Sequence, residues 1–307
     1  MLKIRHAKQS DKRDVLRFCI DTFEWGDYID QVWDIWYSDQ KGYLMVAEDK
    51  KENCTKRHSK NSSLLSSVIT AVSNVYLCPN KNSIWLEGIR VRPDYRRRSI
   101  ATELIKKMVR YGEEQGAKEA AAIVSANNTA SRLMMEKNGF VVISKWNYYG
   151  TDKIPEKSSI ATVRIATSKD IESLCNYLKQ SQIFKSAGES YVNSWRWCPL
   201  DVGSDSLQNL IEDERVIVIG NGDYIMNGVA IINKDNNKTF QIVYLDASNA
   251  LMLKYLVKFV TDWARTEIER YKRIQIFTPH MTYVDSVMED LGIVYEVGQF
   301  LLYKRKI

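Results

Sequence analysis

Arg92 to Met108 reads RPDYRRRSIATELIKKM. Three arginines run into a turn of small residues, and the turn runs into a stretch whose apolar members, Ala101, Leu104, Ile105, Met108 and Val109, fall at helical spacing. That stripe predicts an amphipathic helix, Ile100 to Gln115, closed by Gly116 and packing one face on a core. A helix N-terminus leaves backbone N–H groups without intrahelical partners and carries the positive end of the dipole. Arg96, Arg97 and Arg98 add charge at the same place, and a phosphate satisfies both. The competing reading is a solvated basic turn. SIWLEGIRV before the turn (Ser83 to Val91) has the composition of a strand, so the order is strand, turn, helix.

Working outward, strands are expected at Leu2–His6, Tyr43–Glu48, Leu64–Leu77, Ser83–Arg92, Ala120–Val124 and Phe140–Lys145. Helices are expected at Asp11–Phe18, Asp27–Ser38 and Ala130–Lys137. Lys50–Ser62 is polar without apolar period and reads as an exposed loop. The second half repeats the first in outline. IRHAKQSD (Ile4 to Asp11) is answered by VRIATSKD (Val163 to Asp170), and MEKNGF (Met135 to Phe140) by MEDLGI (Met288 to Ile293). Two matches in the same order point to a duplicated unit, divided at the polar segment Thr151–Ser159 with its Pro155. The expected domains are therefore 1–150 and 160–307. In the second, strands are expected at Arg215–Ile219, Gly228–Asn233 and Phe240–Leu245, and a helix from Asn249 to Glu269. The alternation predicts a mixed α/β fold with a sheet at its centre.

Composition narrows the function classes. The chain has 307 residues, 45% hydrophobic and 27% charged, with 44 basic against 38 acidic side chains. The resulting +6 is a mild excess that argues against a dedicated nucleic-acid binder. Five scattered cysteines (Cys19, Cys54, Cys78, Cys175, Cys198) form no CxxC pair, and His6, His58 and His280 stand at no metal-ligand spacing. Neither a disulfide framework nor a metal site is expected. No apolar run has membrane-spanning length, so the expectation is a cytoplasmic protein that binds neither membrane nor nucleic acid.

The strand–turn–helix segment resembles the pyrophosphate-binding motif of the GCN5-related N-acetyltransferase (GNAT) superfamily. That motif, Arg/Gln-x-x-Gly-x-Gly/Ala, here reads Arg96-Arg97-Arg98-Ser99-Ile100-Ala101, with Ser99 in place of the first glycine. Downstream, NNTASRLMMEKNGFVVI resembles the second half of the family pattern, with Asn128 where the family's asparagine caps a helix and contacts the pantetheine arm. The resemblance implies tandem GNAT-like domains, each a mixed central sheet flanked by helices. The first would bind acetyl-CoA, and the second, whose lead-in DASNA (Asp246 to Ala250) lacks the arginine run, would be degenerate. It also implies that Ile89, Arg90 and Val91, then Arg96, Arg97, Arg98, Ser99, Ile100, Ala101 and Thr102, and then Asn128, Ser131 and Met135 meet acetyl-CoA.

The implied reaction is attack of a primary amine on the thioester, with a backbone N–H of a bulged strand near Ile89 to Val91 stabilising the oxyanion. Glu87 is the candidate base, placed by strand alternation on the same side as Ile89 and Val91. The alternative is that Glu87 only orders the acceptor or pairs with an arginine. Met135 stands where many relatives carry a proton-donating tyrosine, so either the thiolate leaves without an acid or Tyr148 or Tyr149 serves instead. Asp27, Tyr28 and Trp36, together with EGIRV, resemble a subgroup containing histidine N-acetyltransferases and imply a small amine or amino-acid acceptor, with a peptide amine as the other option. Trp33 and Trp36 at i, i+3 also fit plain core packing. A non-catalytic acyl-CoA-binding or sensing protein is the alternative function. Oligomeric state is not readable.

Overall fold

In the computed structural model the described residues are 2–23, 26–51, 66–78, 82–152, 163–203, 205–221, 225–234, 239–266, 271, 273–295 and 298–307. Most of the expected Lys50–Ser62 loop, with Cys54 and His58, and most of the Thr151–Ser159 linker lie outside them. The elements are β1 (Leu2–His6), α1 (Lys12–Cys19), α2 (Ile29–Ser38), β2 (Gly42–Lys51), β3 (Ser66–Leu77), β4 (Ser83–Val91), α3 (Ile100–Glu114), β5 (Glu119–Ser125) and α4 (Thr129–Lys137). They continue with β6 (Val141–Thr151), β7 (Val163–Ile165), α5 (Ile171–Gln180), α6 (Gln182–Ser186), β8 (Ser190–Asn193), β9 (Arg196–Pro199), α7 (Asp205–Glu212), β10 (Val216–Asn221) and β11 (Ile225–Lys234). The last are β12 (Thr239–Ala247), α8 (Ala250–Thr266), β13 (Arg273–Pro279), α9 (Val284–Asp290), β14 (Val294–Tyr295) and β15 (Phe300–Lys306).

Two compact units divide the chain. The first is Met1–Ala122 with Leu133–Val141 and Lys304–Ile307; the second is Ile123–Arg132 with Val142–Tyr303. This partition and the sequence division at 150/160 differ chiefly by an exchange of strands. Residues 142–151 go with the second unit because β6 pairs antiparallel with β13, from Ile274↔Thr151 to Pro279↔Trp146. The tail Lys304–Ile307 goes with the first. Apolar periodicity identifies a strand but not its neighbour, so neither exchange was visible in sequence.

In the first unit the strands run in the order β1-β2-β3-β4-β5, antiparallel up to β4 and then parallel. Helices α1 and α2 lay Val15, Cys19, Ile29, Trp33 and Trp36 on Leu44, Val46, Ile69 and Val72 of the sheet. Each buried tryptophan removes on the order of 200 Å² from water, worth on the order of 5 kcal/mol by area transfer. In the second unit the order is β15-β6-β13-β12-β11-β10-β7, with β14 also on β6, and the β8–β9 hairpin stands separately. Its core packs Leu253, Leu256, Val257 and Val260 of α8 against Ile217, Ala230, Ile232 and Ile242.

The sequence repeat is a repeated lock. Arg5 NH1 and NH2 donate to Asp11 Oδ2 and Oδ1 at 2.7 and 3.0 Å, and Asp11 Oδ2 also accepts the Lys8 N–H at 2.7 Å. Arg164 NH1 and NH2 donate to Asp170 Oδ2 and Oδ1 at 2.7 and 2.6 Å, and Asp170 Oδ2 accepts the Thr167 N–H at 2.8 Å. In both cases a bidentate pair ties the first strand to the 3-10 turn that opens the first helix.

Candidate active site

The first unit presents a strand that breaks its own pairing. Against β3, Glu87 registers with Asn74, but Arg90 registers with Val72. Three steps on β4 match two on β3, which is a β-bulge. Gly88 sits in it at φ +65, and a Cβ there would stand 2.5 Å from Cη2 of Trp36. On its other edge β4 pairs with β5 at Ser83, Ile84 and Trp85, and the paired register ends at Trp85↔Ala121. Beyond that point the two strands part, just before the bulge.

The bulge revises the expected side-chain directions. Simple alternation put Glu87 with Ile89 and Val91, whereas the extra residue puts Glu87 and Arg90 on the face of Asn74 and Val72. Asn74 Nδ2 donates to Glu87 Oε1 at 2.8 Å. Arg90, expected at the cofactor, turns to the acceptor-side segment instead. Its Nε and NH2 donate to Asp27 Oδ2 and Oδ1 at 2.7 and 3.2 Å, and its NH1 to the Ile89 carbonyl at 3.2 Å. The guanidinium lies 4.9 Å from the Phe23 ring and 5.2 Å from the Tyr28 ring, a cation–π arrangement on both.

Burial works to lower the Arg90 pKa, but the bonds and charge of Asp27 leave it raised. Burial raises the Tyr28 phenol, with Arg90 opposing and Glu87 adding to the rise. The Asp27 side chain is only 4% exposed and is engaged by Arg90, a role the sequence had left to a cationic acceptor. Trp36 is buried in the α1–α2 core and meets Tyr28 edge-on at 6.1 Å. Its surroundings are those of a packing residue.

After β4, Pro93–Tyr95 forms a 3-10 turn and the chain enters α3 through Arg97 at φ 61 and Ser99 at φ 60. Left-handed backbone favours glycine, which explains why the family motif has glycine where Ser99 stands. The Ser99 side chain makes no capping bond to α3, and the first N–H groups of a helix have no intrahelical partner. Arg96, Arg97, Arg98 and Ser99 are exposed. Arg96 Nε reaches the Val91 carbonyl at 3.2 Å, and Arg98 donates to the Asp94 carbonyl at 3.0 Å while its guanidinium stacks 4.7 Å from the Tyr95 ring.

The remaining expected site residues divide between the units. Met135, on α4 in the first unit, is buried and apolar, with no proton to give. Asn128 and Ser131 belong to the second unit, where Asn128 Oδ1 accepts the Ser131 N–H at 3.0 Å as a helix cap. Tyr148 and Tyr149 are buried in the second unit. Tyr148 accepts from Gln275 Nε2 at 2.8 Å, and the Tyr149 hydroxyl donates to Asp285 Oδ1. Sequence reading missed Asn74, a lone amide in an apolar strand that carries no signal. It also missed Gly88, although an interior glycine in a strand is a bulge signal. Among the described residues no group of three or more His, Cys, Asp or Glu side chains is arranged to hold a metal. No helix there is long and apolar enough to cross a membrane.

A bulged strand that parts from its parallel neighbour, followed by a helix with a basic, uncapped N-terminus, defines the class of the acyl-CoA-dependent N-acetyltransferase fold. Residues 13–140 match the model of the Acetyltransferase (GNAT) family. A 72-residue stretch is 33% identical to the aminoglycoside N(6')-acetyltransferase type 1 of Salmonella typhimurium, covering 24% of this chain and 50% of that relative. The chain thus spans about half the length of the curated relatives it matches.

Among solved structures, a GCN5-related N-acetyltransferase from Sphaerobacter thermophilus superposes with a TM-score of 0.59 at 12% identity, over 99% of this chain and 95% of that one. A tandem GNAT protein from the clavulanic acid biosynthesis pathway superposes with a TM-score of 0.54 at 11% identity, over 100% and 98%. At such identities the likeness is one of fold, and that fold is a tandem of GNAT-like domains.

Proposed function

We propose that the chain is an acetyl-CoA-dependent N-acetyltransferase that moves an acetyl group to a primary amine, a small-molecule or amino-acid amine in preference to a protein N-terminus. The observation that carries this reading is the uncapped α3 N-terminus, where Ser99 is left-handed and Arg96, Arg97 and Arg98 are exposed. Free N–H donors beside clustered positive charge suit a pyrophosphate, so the residues present fit the cofactor. Bound acetyl-CoA supplies an activated acetyl thioester. This chain's residues do the rest: the α3 N–H groups and the arginines hold the phosphates, and the parted β4 strand offers backbone N–H groups. Glu87 takes the proton of the acceptor's ammonium. Met135 offers no acid.

The acceptor remains a class. The curated relatives are named for aminoglycosides, which are polycations. Asp27 is engaged by Arg90, so a polycation meets less negative charge beside the bulge than the sequence implied. That favours an acceptor with one reacting amine.

The test is calorimetric titration of acetyl-CoA into the wild type and an Arg96→Ala/Arg98→Ala variant, followed by thiol release with a panel of monoamines, amino acids and an aminoglycoside. Binding near one per chain, weakened about tenfold or more in the variant, together with turnover of an amine, is the expected result. Absence of binding ends this reading. Binding without turnover of any amine supports the non-catalytic acyl-CoA-binding alternative, which the buried Met135 favours.

A further inference from the structure

We infer that Asn74 is the positioning residue for Glu87, an inference that rests on the acetyltransferase reading. Asn74 is fully buried on β3 and stands opposite Glu87 in register. Its Nδ2 donates to Glu87 Oε1 at 2.8 Å. Its other end is the telling one: Oδ1 is buried and finds no donor among the described residues. A buried amide with one end unmatched costs stability, and an apolar side chain at the same place in a buried strand would cost none. The amide orientation that leaves Oδ1 unmatched is the one that puts an N–H on the carboxylate. Such mismatches concentrate where function overrides packing.

The chemistry follows from the donor. An N–H on a carboxylate oxygen fixes the direction in which its remaining lone pairs point. Other ionisable groups lie close to this carboxylate. Arg90 shares its strand and face, and Asp27 and Tyr28 come from the segment before α2. Arg90 and Asp27 neutralise each other, and burial keeps Tyr28 protonated. Asn74 therefore orients Glu87 without adding net charge, and it does so from β3, away from the parted edge of β4. It acts through Glu87 and touches no substrate.

The test is the pH profile of thiol release with an accepted amine for the wild type, Asn74→Leu, Asn74→Asp, Glu87→Gln and the Asn74→Leu/Glu87→Gln double variant. Acetyl-CoA binding is measured alongside by calorimetry. Asn74→Leu is expected to lower kcat about tenfold, leave acetyl-CoA affinity unchanged, and move the acid limb of kcat to higher pH. Asn74→Asp moves that limb further, because two carboxylates then face each other. On the Glu87→Gln background, Asn74→Leu adds no further loss.

An acid limb that stays put in Asn74→Leu while Tm falls makes Asn74 a packing residue and overturns the inference. So does a full additional loss in the double variant. Asn74→Ser, which also removes the amide, carries the same comparison if Asn74→Leu does not fold. A wild type that binds acetyl-CoA but turns over no amine overturns the proposed function itself, and this inference with it. Turnover with an unmoved acid limb overturns the inference alone.

Discussion

Two helices in this chain follow bulged strands, and their N-termini are built in opposite ways. β4 carries one extra residue against β3 and ends its pairing with β5 at Trp85. β12 likewise carries one extra residue against β11, between Ile242 and Tyr244, and its paired register with β13 ends at Ile242↔Ile276. The backbone frame has been kept in both units. The helix that follows has not. α8 is capped by its own chain, Asn249 Oδ1 accepting the Met252 N–H at 3.0 Å. Just upstream, buried Asp246 accepts from Tyr177, Ser181 and Tyr244 hydroxyls at 2.9, 2.6 and 2.9 Å, and Tyr283 donates to the Ala247 carbonyl at 2.6 Å. Burial raises the Asp246 pKa. In the second unit a side chain takes one of the N–H groups at the helix mouth and a buried acid stands just upstream, whereas at α3 the Ser99 side chain makes no capping bond and three exposed arginines precede the helix.

The largest expected effect of a single substitution falls at Gly88 in the β4 bulge. A Cβ there meets Trp36 at 2.5 Å and must also adopt φ +65. Gly88→Ala is expected to cost about 3 kcal/mol or more, from overpacking and left-handed strain together. Denaturant unfolding checks this, and a loss under about 1 kcal/mol would mean that the bulge is not held by Trp36.

The repeated lock gives a matched pair of smaller effects. Asp11→Ala and Asp170→Ala each remove a bidentate partner and a backbone acceptor and are expected to cost about 2–3 kcal/mol apiece. Strongly unequal losses would deny that the two halves share one device. Hydrogen bonds from Arg164, opposed by burial, hold Asp170 down to about 2. A depressed carboxylate contributes stability above its unfolded pKa, about 3.9, and loses it as pH falls through the folded value. The Tm gap between wild type and Asp170→Asn should therefore be full at pH 5 and close between about pH 4 and pH 2.

Much of the frame was legible in sequence because it is written in apolar period and helix stops. Leu2–His6 and the start of α3 at Ile100 were read to the residue, and β3, β4, β5 and α4 to within about two residues at each end. Where reading failed, the missing information was relational. The alternation that placed Glu87 with Ile89 assumes an unbroken ladder, and one glycine at positive φ reverses it. Asp27 and Arg90 are far apart in the chain, so nothing local shows that the acid is already partnered. The β8–β9 hairpin turns through Ser194 and Trp195 at φ 50 and 63, where Asn-Gly would have announced it. The arginine turn was legible because helix dipole and charge act within a few residues of one another. The second unit's closure was not, because Tyr177, Ser181 and Tyr283 reach Asp246 and Ala247 from separate elements.

The finest test of the comparison reverses the sign of a mutation at the two helix mouths. Asn249→Ala removes a working cap and is expected to cost about 1 kcal/mol. Ser99 makes no capping bond and sits left-handed, so Ser99→Gly relieves backbone strain of about 1–2 kcal/mol, less the extra freedom glycine gains when unfolded. The net expectation is a gain of about 0.5 kcal/mol, read as a small rise in Tm. Acetyl-CoA affinity should hold or rise, because removing the Cβ lets a phosphate approach the Ile100 and Ala101 N–H groups more closely. A loss of stability in Ser99→Gly would show that the serine hydroxyl does structural work at this mouth after all. A loss of affinity with stability intact would show instead that the hydroxyl itself donates to the phosphate, and that the departure from glycine is an adaptation of the cradle and not its decay.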